Sequence, residues 1–318
     1  MDIPDLRLLR YFVAVAEELH FGRAAERLHV AQPGLSQQIK VLERLLGARL
    51  LERTSRQVRL TAAGGLLLTE SRRLLAETER AVDRVRRTGR GEIGRLTVAA
   101  IGSATYDVVP RLLRAHRARY PDVELVLREM STPAQVHALR AGEIDVGLLR
   151  LPADTADLAT HTVREDRMAL MLPETHPLAR KARIPLRALA REPLIIFPAA
   201  PRPSWADTVI AACRQAGFEP LVAQEAMESA TVVSFVSAGV GVAPVPEGLE
   251  VLARPGVAFR LLAPPAPATR LAAVYRTGTL PPTVECFLDL VRTLWPAGAP
   301  GQSASTAARI TGSDPLTT

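Results

Sequence analysis

Residues Leu9–Gly64 read LRYFVAVAEELHFGRAAERLHVAQPGLSQQIKVLERLLGARLLERTSRQVRLTAAG, and the spacing of apolar side chains in and around this stretch decides the fold of the N-terminal part of the chain. Leu6, Leu9, Val13 and Ala16 recur at steps of three and four, which describes an amphipathic helix over residues 6–19. Phe21, Ala24, Ala25 and Leu28 put an apolar stripe on a second, short helix, and the small Ala24-Ala25 pair lets another helix approach closely. His29-Val30-Ala31-Gln32 then forms a tight turn, because Pro33 fits best at a first helical position, where its missing N–H costs nothing. A third helix therefore starts near Gln32 or Pro33. Leu35, Ile39, Leu42 and Leu46 bury one face of it, while Gln32, Pro33, Ser36, Gln37 and Lys40 occupy its exposed N-terminal face, and Gly47 ends it. Leu50–Arg53 and Gln57–Leu60 read as two short strands around Thr54-Ser55-Arg56, a hairpin with a basic tip, or wing.

Outward from this stretch, Thr61 is placed to cap a long helix running to about Thr88. In it Leu68, Leu75 and Val82 recur every seven residues, with Ser71, Thr78 and Val85 three positions later, and so narrow a stripe on so long a helix predicts a helical partner. Gly89-Arg90-Gly91 and Gly94 break the helix. Strands and helices then alternate, which predicts a mainly parallel sheet with covered faces. Strands are expected at 96–101, 123–127, 144–148, 168–172, 194–197, 221–223, 241–245 and 271–275, with helices at 107–119, 133–141, 204–216, 228–238 and 283–294. They form two similar α/β units, the last strand and helix returning to the first. From Ala297 onward Ala, Gly, Ser, Thr and Pro dominate, and a disordered tail is expected.

The length of 318 residues and a 47% hydrophobic content supply two or three packed cores. The net charge of +7 is unevenly placed: residues 1–90 carry 17 Lys/Arg against 11 Asp/Glu, leaving 23 against 22 in 91–318. Positive charge concentrated at one end suits a nucleic-acid-binding domain attached to a near-neutral one. Lys40 and Lys181 are the only lysines, so coding bias toward arginine explains part of the basicity. Cys213 and Cys286 lie far apart and make no metal-ligand spacing, so no metal, cofactor or disulfide framework is expected. No stretch approaches the roughly 20 apolar residues of a membrane helix. An N-terminus with Asp2, Asp5, Glu17 and Glu18 lacks the pattern of a signal peptide, and a cytoplasmic location is expected.

A helix laid in the major groove needs short polar or flexible side chains at its exposed N-terminal end, and Gln32, Ser36, Gln37 and Lys40, with Pro33 among them, meet that need. Gln pairs bidentately with adenine, Ser donates or accepts, and Lys reaches a guanine edge or a phosphate. Arg53 and Arg56 on the wing suit the DNA backbone or the narrow minor groove of A/T-rich sequence. The bland alternative is a solvated polar face on a small three-helix domain. The order of features weighs against it: Phe12, then Phe21 with Ala24-Ala25, Gln32-Pro33 before Leu35-Ser36, Leu42-Glu43, Gly47, Leu50, and Leu60-Thr61 ahead of Gly64. In these features the chain closely resembles the DNA-binding domain of bacterial LysR-type transcriptional regulators. The turn residue before Gln-Pro is commonly serine in that family; here it is Ala31, which removes one helix cap or phosphate contact.

The resemblance continues more loosely to about Trp295 through Val109-Pro110, Tyr120-Pro121, Gly142-Glu143-Ile144-Asp145-Val146 and Ser237-Ala238-Gly239-Val240-Gly241-Val242. It implies an N-terminal winged helix-turn-helix (1–60), a linker and dimerisation helix (61–91), and an effector-binding domain (92–296) of two Rossmann-like subdomains, similar to periplasmic binding proteins. The subdomains divide as about 92–165 with 270–296 and about 166–269, and 297–318 is the tail. The resemblance further implies double-stranded promoter DNA as partner, a dimer or tetramer, and a small effector in the cleft, with RNA polymerase a further candidate partner. Strand ends and helix N-termini at such a cleft present free backbone N–H groups that suit a carboxylate. Ser103, Thr132 and Arg150, each following a strand, are the effector candidates, and Phe197 supplies an apolar wall from the second unit. Ser103 and Thr132 read equally well as helix caps, and Arg150 as a surface residue. Pro193–Ser204 and Leu148-Leu149-Arg150 resemble the subgroup controlling aromatic-compound breakdown through benzoate- or muconate-type effectors.

Rival functions find little support in the chain. There is no Gly-x-Ser-x-Gly, no phosphate-binding Gly-rich Lys-Ser/Thr loop and no His-Glu-x-x-His, and His116, His137, His161 and His176 lie near no nucleophile, so catalysis is not expected. A solute-binding protein would carry an export signal and no basic helix-turn-helix. Redox sensing through Cys213 and Cys286 lacks an activating motif.

Overall fold

In the computed structural model the described residues are 3–53, 57–198, 200, 202 and 204–296; the wing tip with Arg56 and the tail 297–318 lie outside them. The chain divides into two units, Met1–Arg87 and Thr88–Thr318. The first opens with α1 (Leu6–Glu18), whose N-cap Asp5 carboxylate accepts the Leu8 N–H at 2.8 Å. Its buried stripe is Leu8, Leu9, Phe12, Val15 and Ala16, so Leu6, 40% exposed, and Val13 sit at the edge and not at the centre as the sequence reading had them. Leu19 and His29, both in the left-handed region, end α1 and α2 (Phe21–Leu28). The helix α3 (Gln32–Leu46) has Pro33 in its first turn and stops at Gly47, φ 63°, as the spacing predicts. Leu35, Ile39 and Leu42 of α3 pack with Phe12, Ala24 and Leu50 into one apolar core.

The wing is antiparallel, β1 (Leu51–Arg53) against β2 (Val58–Leu60), with Leu51 opposite Leu60. Thr61 caps α4 (Ala62–Gly89): its hydroxyl accepts the Gly64 N–H at 2.9 Å and donates to the Arg49 carbonyl at 2.7 Å. Gly64 is dictated by close approach, since a Cβ there would lie 2.1 Å from the Leu50 carbonyl oxygen. At 28 residues α4 is about 42 Å long. Along its heptad stripe Leu68 and Leu75 are half-buried while Val82 and Val85 are 43% and 73% exposed.

In the second unit, β3 (Gly94–Ala100) pairs in parallel with β4 (Val123–Glu129) and β5 (Val146–Leu151), with α5 (Val108–Arg119) and α6 (Thr132–Ala141) as crossovers. The long strand β6 (Leu158–Pro173) runs through both halves of the unit. Its first part pairs antiparallel with β12 (Ala268–Arg276), which also pairs with β5. Its second part pairs with β10 (Ala243–Pro246) and β11 (Val257–Leu262), and β11 carries the short β7 (Arg183–Ile184). The second half is completed by the parallel pair β8 (Pro193–Ile196) and β9 (Leu221–Glu225), tied to β10's approach by Ile195 N–H to Val242 O and Val242 N–H to Pro193 O, both 2.9 Å. The helices α7 (Trp205–Gln215) and α8 (Ser229–Ser237) complete this half. The late strand β12 and α9 (Pro282–Leu294) return to the first half, where Val284, Phe287, Leu288 and Val291 pack with Leu96, Val98, Leu112 and Leu148.

Residues 158–167, 183–184 and 257–262 are strands that the sequence reading left unassigned. The reason is composition: Thr160, His161, Thr162, Arg164, Glu165, Asp166 and Arg167 give β6 too few apolar residues for a period-two signal to register. The division drawn at 165/166 therefore falls inside one continuous strand.

Candidate functional site

On α3 the side chains of Gln32, Pro33, Gln37 and Lys40 are exposed and Ser36 is half-buried, while Leu35, Ile39 and Leu42 beneath them are at most 1% exposed. A buried stripe of branched aliphatics fixes the helix, so the polar face is presented without loss of rigidity. The N-terminus at Ala31 has no side-chain cap hydrogen bond among the described residues.

Arg53 is placed differently from the wing-tip arm the sequence suggested. Its guanidinium folds back onto α3, 3.1 Å from Glu43, 3.4 Å from the Ser36 hydroxyl and 4.9 Å above the Phe21 ring. Arg53 therefore braces the wing against α3 and restrains Ser36. Glu43, which sequence reasoning did not single out as functional, is the anchor of this arrangement. Its Oε1 accepts the N–H groups of Leu50 and Leu51 at 3.0 and 3.2 Å, and its Oε2 takes Arg53. On the far side, Glu17 joins α1 to α2 and α4 through Arg27 at 2.7 Å and Arg72 at 2.8 Å. Hydrogen bonds from Arg72 and then Arg27 hold its carboxyl below the usual carboxylate range.

In the second unit the structure brings Ser103, Thr132 and Arg150 together. Arg150 does not follow the strand; β5 starts two residues later than expected and extends to Leu151, so Arg150 lies on it with its side chain 11% exposed. Its backbone N–H points to the Thr132 hydroxyl at 3.4 Å, its Nη2 to the Ser103 hydroxyl at 3.4 Å, and its Nη1 donates to Asp166 at 2.8 Å. Neither hydroxyl caps a helix: Ser103 sits in a 3₁₀ turn, and Thr132 is the first residue of α6, whose N-terminus has no side-chain cap. Burial pushes the Arg150 guanidinium below its ordinary value, and Asp166 opposes that shift.

Asp166, with a side chain 2% exposed, also pairs with Arg164 at 2.8 Å, and Arg164 reaches Asp107. The Arg164 guanidinium lies against the backbone of the 3₁₀ turn Glu247–Leu252, so close that a Cβ on Gly248 would be 2.0 Å from its Nη2. The group thus contains two arginines, two aspartates and two hydroxyls on the first half, and the Gly248 turn of the second half packs against it. No local motif announces Asp107, Arg164 or Asp166; the pairing of β6 with β12 positions Arg164 and Asp166, and Asp107 joins them from the N-terminus of α5. Phe197 is half-buried on the core of the second half, and Tyr106 from the first half packs on the same cluster, adding an aromatic that the sequence reading missed. Among the described residues no group of three or more His, Cys, Asp or Glu is placed to hold a metal ion, and no helix is long and apolar enough to cross a membrane.

A winged helix-turn-helix followed by a long helix and a two-lobed α/β sensor is the architecture of an effector-responsive, DNA-binding transcription regulator. Residues 6–65 match the family described as bacterial regulatory helix-turn-helix protein, lysR family, and residues 89–296 match the LysR substrate binding domain. The chain belongs to the LysR family of transcriptional regulators, whose members bind DNA and small-molecule effectors and form oligomers. It is 40% identical over 286 residues to the HTH-type transcriptional regulator AlsR of Bacillus subtilis (strain 168), covering 90% of this chain and 95% of that protein. The crystal structure of CbnR, a LysR family transcriptional regulator, is similar with a TM-score of 0.82 and 33% identity, over 91% of this chain and all of that one. Full-length CbnR in complex with its target DNA gives a TM-score of 0.78 at 32% identity, over 92% of this chain and 99% of that one.

Proposed function

We propose that this regulator reads promoter DNA through Gln32, Ser36, Gln37 and Lys40, with Pro33 setting the approach of α3, and responds to a small carboxylic acid. The acid sits between the two halves of the sensor, among Ser103, Thr132 and Arg150, with Tyr106 and Phe197 as apolar walls. The convergence of Ser103 and Thr132 on one buried arginine carries this reading. Because Arg150 is already paired with Asp166, an incoming carboxylate shares or replaces that partner, and occupancy is coupled to the strand that joins the halves. A small aromatic or unsaturated dicarboxylic acid, benzoate or muconate in type, matches a cationic anchor flanked by hydroxyls and aromatic walls.

The exposed stripe of α4 at Val82 and Val85 supports pairing with a second copy, and a dimer of such dimers is the assembly we favour. We place the protein in the cytoplasm, acting on RNA polymerase at the promoter and not as an enzyme. A redox-sensing reading is weaker: Cys213 is fully buried and burial pushes its thiol up to about 11, away from a reactive thiolate.

The test is titration of benzoate and cis,cis-muconate into wild-type and R150A protein, followed by calorimetry, alongside a gel shift on DNA upstream of the regulator's own gene. Binding lost in R150A with DNA affinity intact supports the assignment. Equal loss of both, or binding unchanged in R150A, refutes it.

A further inference from the structure

We propose that the basic concavity at the C-terminal end of α3 seats a DNA backbone phosphate between Lys40, Arg44 and Arg49. This rests on α3 being the DNA-facing helix and adds a contact outside its base-reading face. The concavity is open, about 410 Å³, and lined by Lys40, Glu43, Arg44, Gly47, Ala48 and Arg49. Ser36, Lys40 and Arg44 follow one another at four-residue steps, so the reading face continues without interruption to its rim. Gly47, with φ 63°, reverses the chain and delivers Arg49 to the same opening.

Carboxylates neutralise several arginines of the first unit, but not the three cations around this concavity. Arg23, Arg27, Arg72, Arg73 and Arg80 are all neutralised by Glu17, Glu18, Glu70 or Glu77. The exposed Lys40, Arg44 and Arg49 have no carboxylate partner among the described residues. Glu43 is the one carboxylate in the lining, and both its oxygens are engaged by Leu50, Leu51 and Arg53. Gly47 and Ala48 leave the floor low: a Cβ on Gly47 would meet nothing within 4 Å. The helix C-terminus opposes an anion, but the Gly47 and Ala48 N–H groups already occupy the Arg44 and Glu43 carbonyls at 3.3 and 3.1 Å. Three full positive charges outweigh the remaining half charge of the helix end. Arg44 and Arg49, beyond the base-reading turn of α3, grip phosphate oxygens and carry no base information, while Lys40 stands between the two surfaces and reaches the same phosphate.

The experiment measures, by fluorescence anisotropy, binding of the full-length protein to a duplex from upstream of its own gene and to a scrambled duplex, from 50 to 200 mM KCl. In R44A/R49A the log–log salt slope falls by about 1, so the affinity lost across that range is roughly 3- to 4-fold smaller. The fall is the same on both duplexes, the specificity ratio is unchanged, and R44K/R49K keeps the wild-type slope. An unchanged slope, a reduced specificity ratio, or loss of slope in R44K/R49K as well overturns the phosphate seat. Lost transcription activation with an intact slope also overturns it and assigns the patch to a protein partner. Wild-type protein that fails to discriminate the two duplexes removes the parent reading of α3 instead, and the slope on the scrambled duplex still decides the seat.

Discussion

Replacing Asp166 with alanine tests the sensor's buried charge group most directly. Asp166 and its partners Arg150 and Arg164 have side chains 2%, 11% and 10% exposed, so the substitution strands two guanidinia where water reaches them poorly. Only Arg164 keeps a second acid, Asp107. Removing one partner of a buried ion pair costs about 3–5 kcal/mol, because an uncompensated charge stays behind. For a unit of this size that is a fall of roughly 6–20 °C in the sensor transition at about 2–4 °C per kcal/mol, read by calorimetry on the full-length protein. Replacing the pair together, R150M/D166L, recovers most of the loss, since well-packed apolar groups of similar volume often match a buried ion pair. D166A also frees an anion position between two arginines, so added acetate or benzoate stabilises the variant more than the wild type. At 100 times its Kd the acid restores about 2.7 kcal/mol. A D166A loss under about 1 kcal/mol, set against the expected range, or equal acid stabilisation of both proteins, would refute the argument.

Gly64→Ala places a Cβ 2.1 Å from the Leu50 carbonyl oxygen and forces the wing away from α4; a cost of about 1–3 kcal/mol in the melt of the DNA-binding unit is expected. Glu43→Gln removes the charge that holds Arg53 and weakens the bonds to Leu50 and Leu51, so amide exchange at those two positions accelerates and DNA affinity falls; unchanged exchange would contradict the anchor role. Burial beside Tyr120 and Phe287 lowers the pKa of His116 from 6.5 in the folded chain. A depressed folded value means its contribution is present above pH 6.5 and is lost as pH falls below it, so H116F flattens the acid limb of the stability profile, measured by melts from pH 7.5 to 4.5.

The N-terminal unit was legible because each of its decisions is local: Pro33 and Gly47 bracket α3, and Leu35, Ile39 and Leu42 state its buried face. Arg53 shows the limit of that reasoning, since only the folded wing reveals that it turns inward to Glu43 instead of outward. In the sensor, strands rich in branched aliphatics such as Val146–Leu151 announced themselves, and the positions of Ser103, Thr132 and Arg150 near strand ends were enough to group them. The polar first part of β6 was silent. A strand that buries Asp166 breaks the rule that buried positions are apolar, and it does so where the charge group needs it.

That strand also has a mechanical meaning. The chain passes between the two lobes of the sensor along β6, near 166–168, and returns along 262–268 between β11 and β12. On β6 the pairing changes from β12 up to Arg167 to β11 from Ala169 onward. Rotation of one lobe against the other must therefore be absorbed as torsion over a few peptide units, and the lobes turn like two handles on a shared shaft. Asp166 sits at that axle. A ligand that displaces it by a fraction of an ångström acts where the lever arm is shortest and the angular gain at the outer edges is greatest. Spin labels on the outer edges of the two lobes should report a larger change in separation on acid binding than labels flanking Asp166; equal changes would rule out a torsional pivot there.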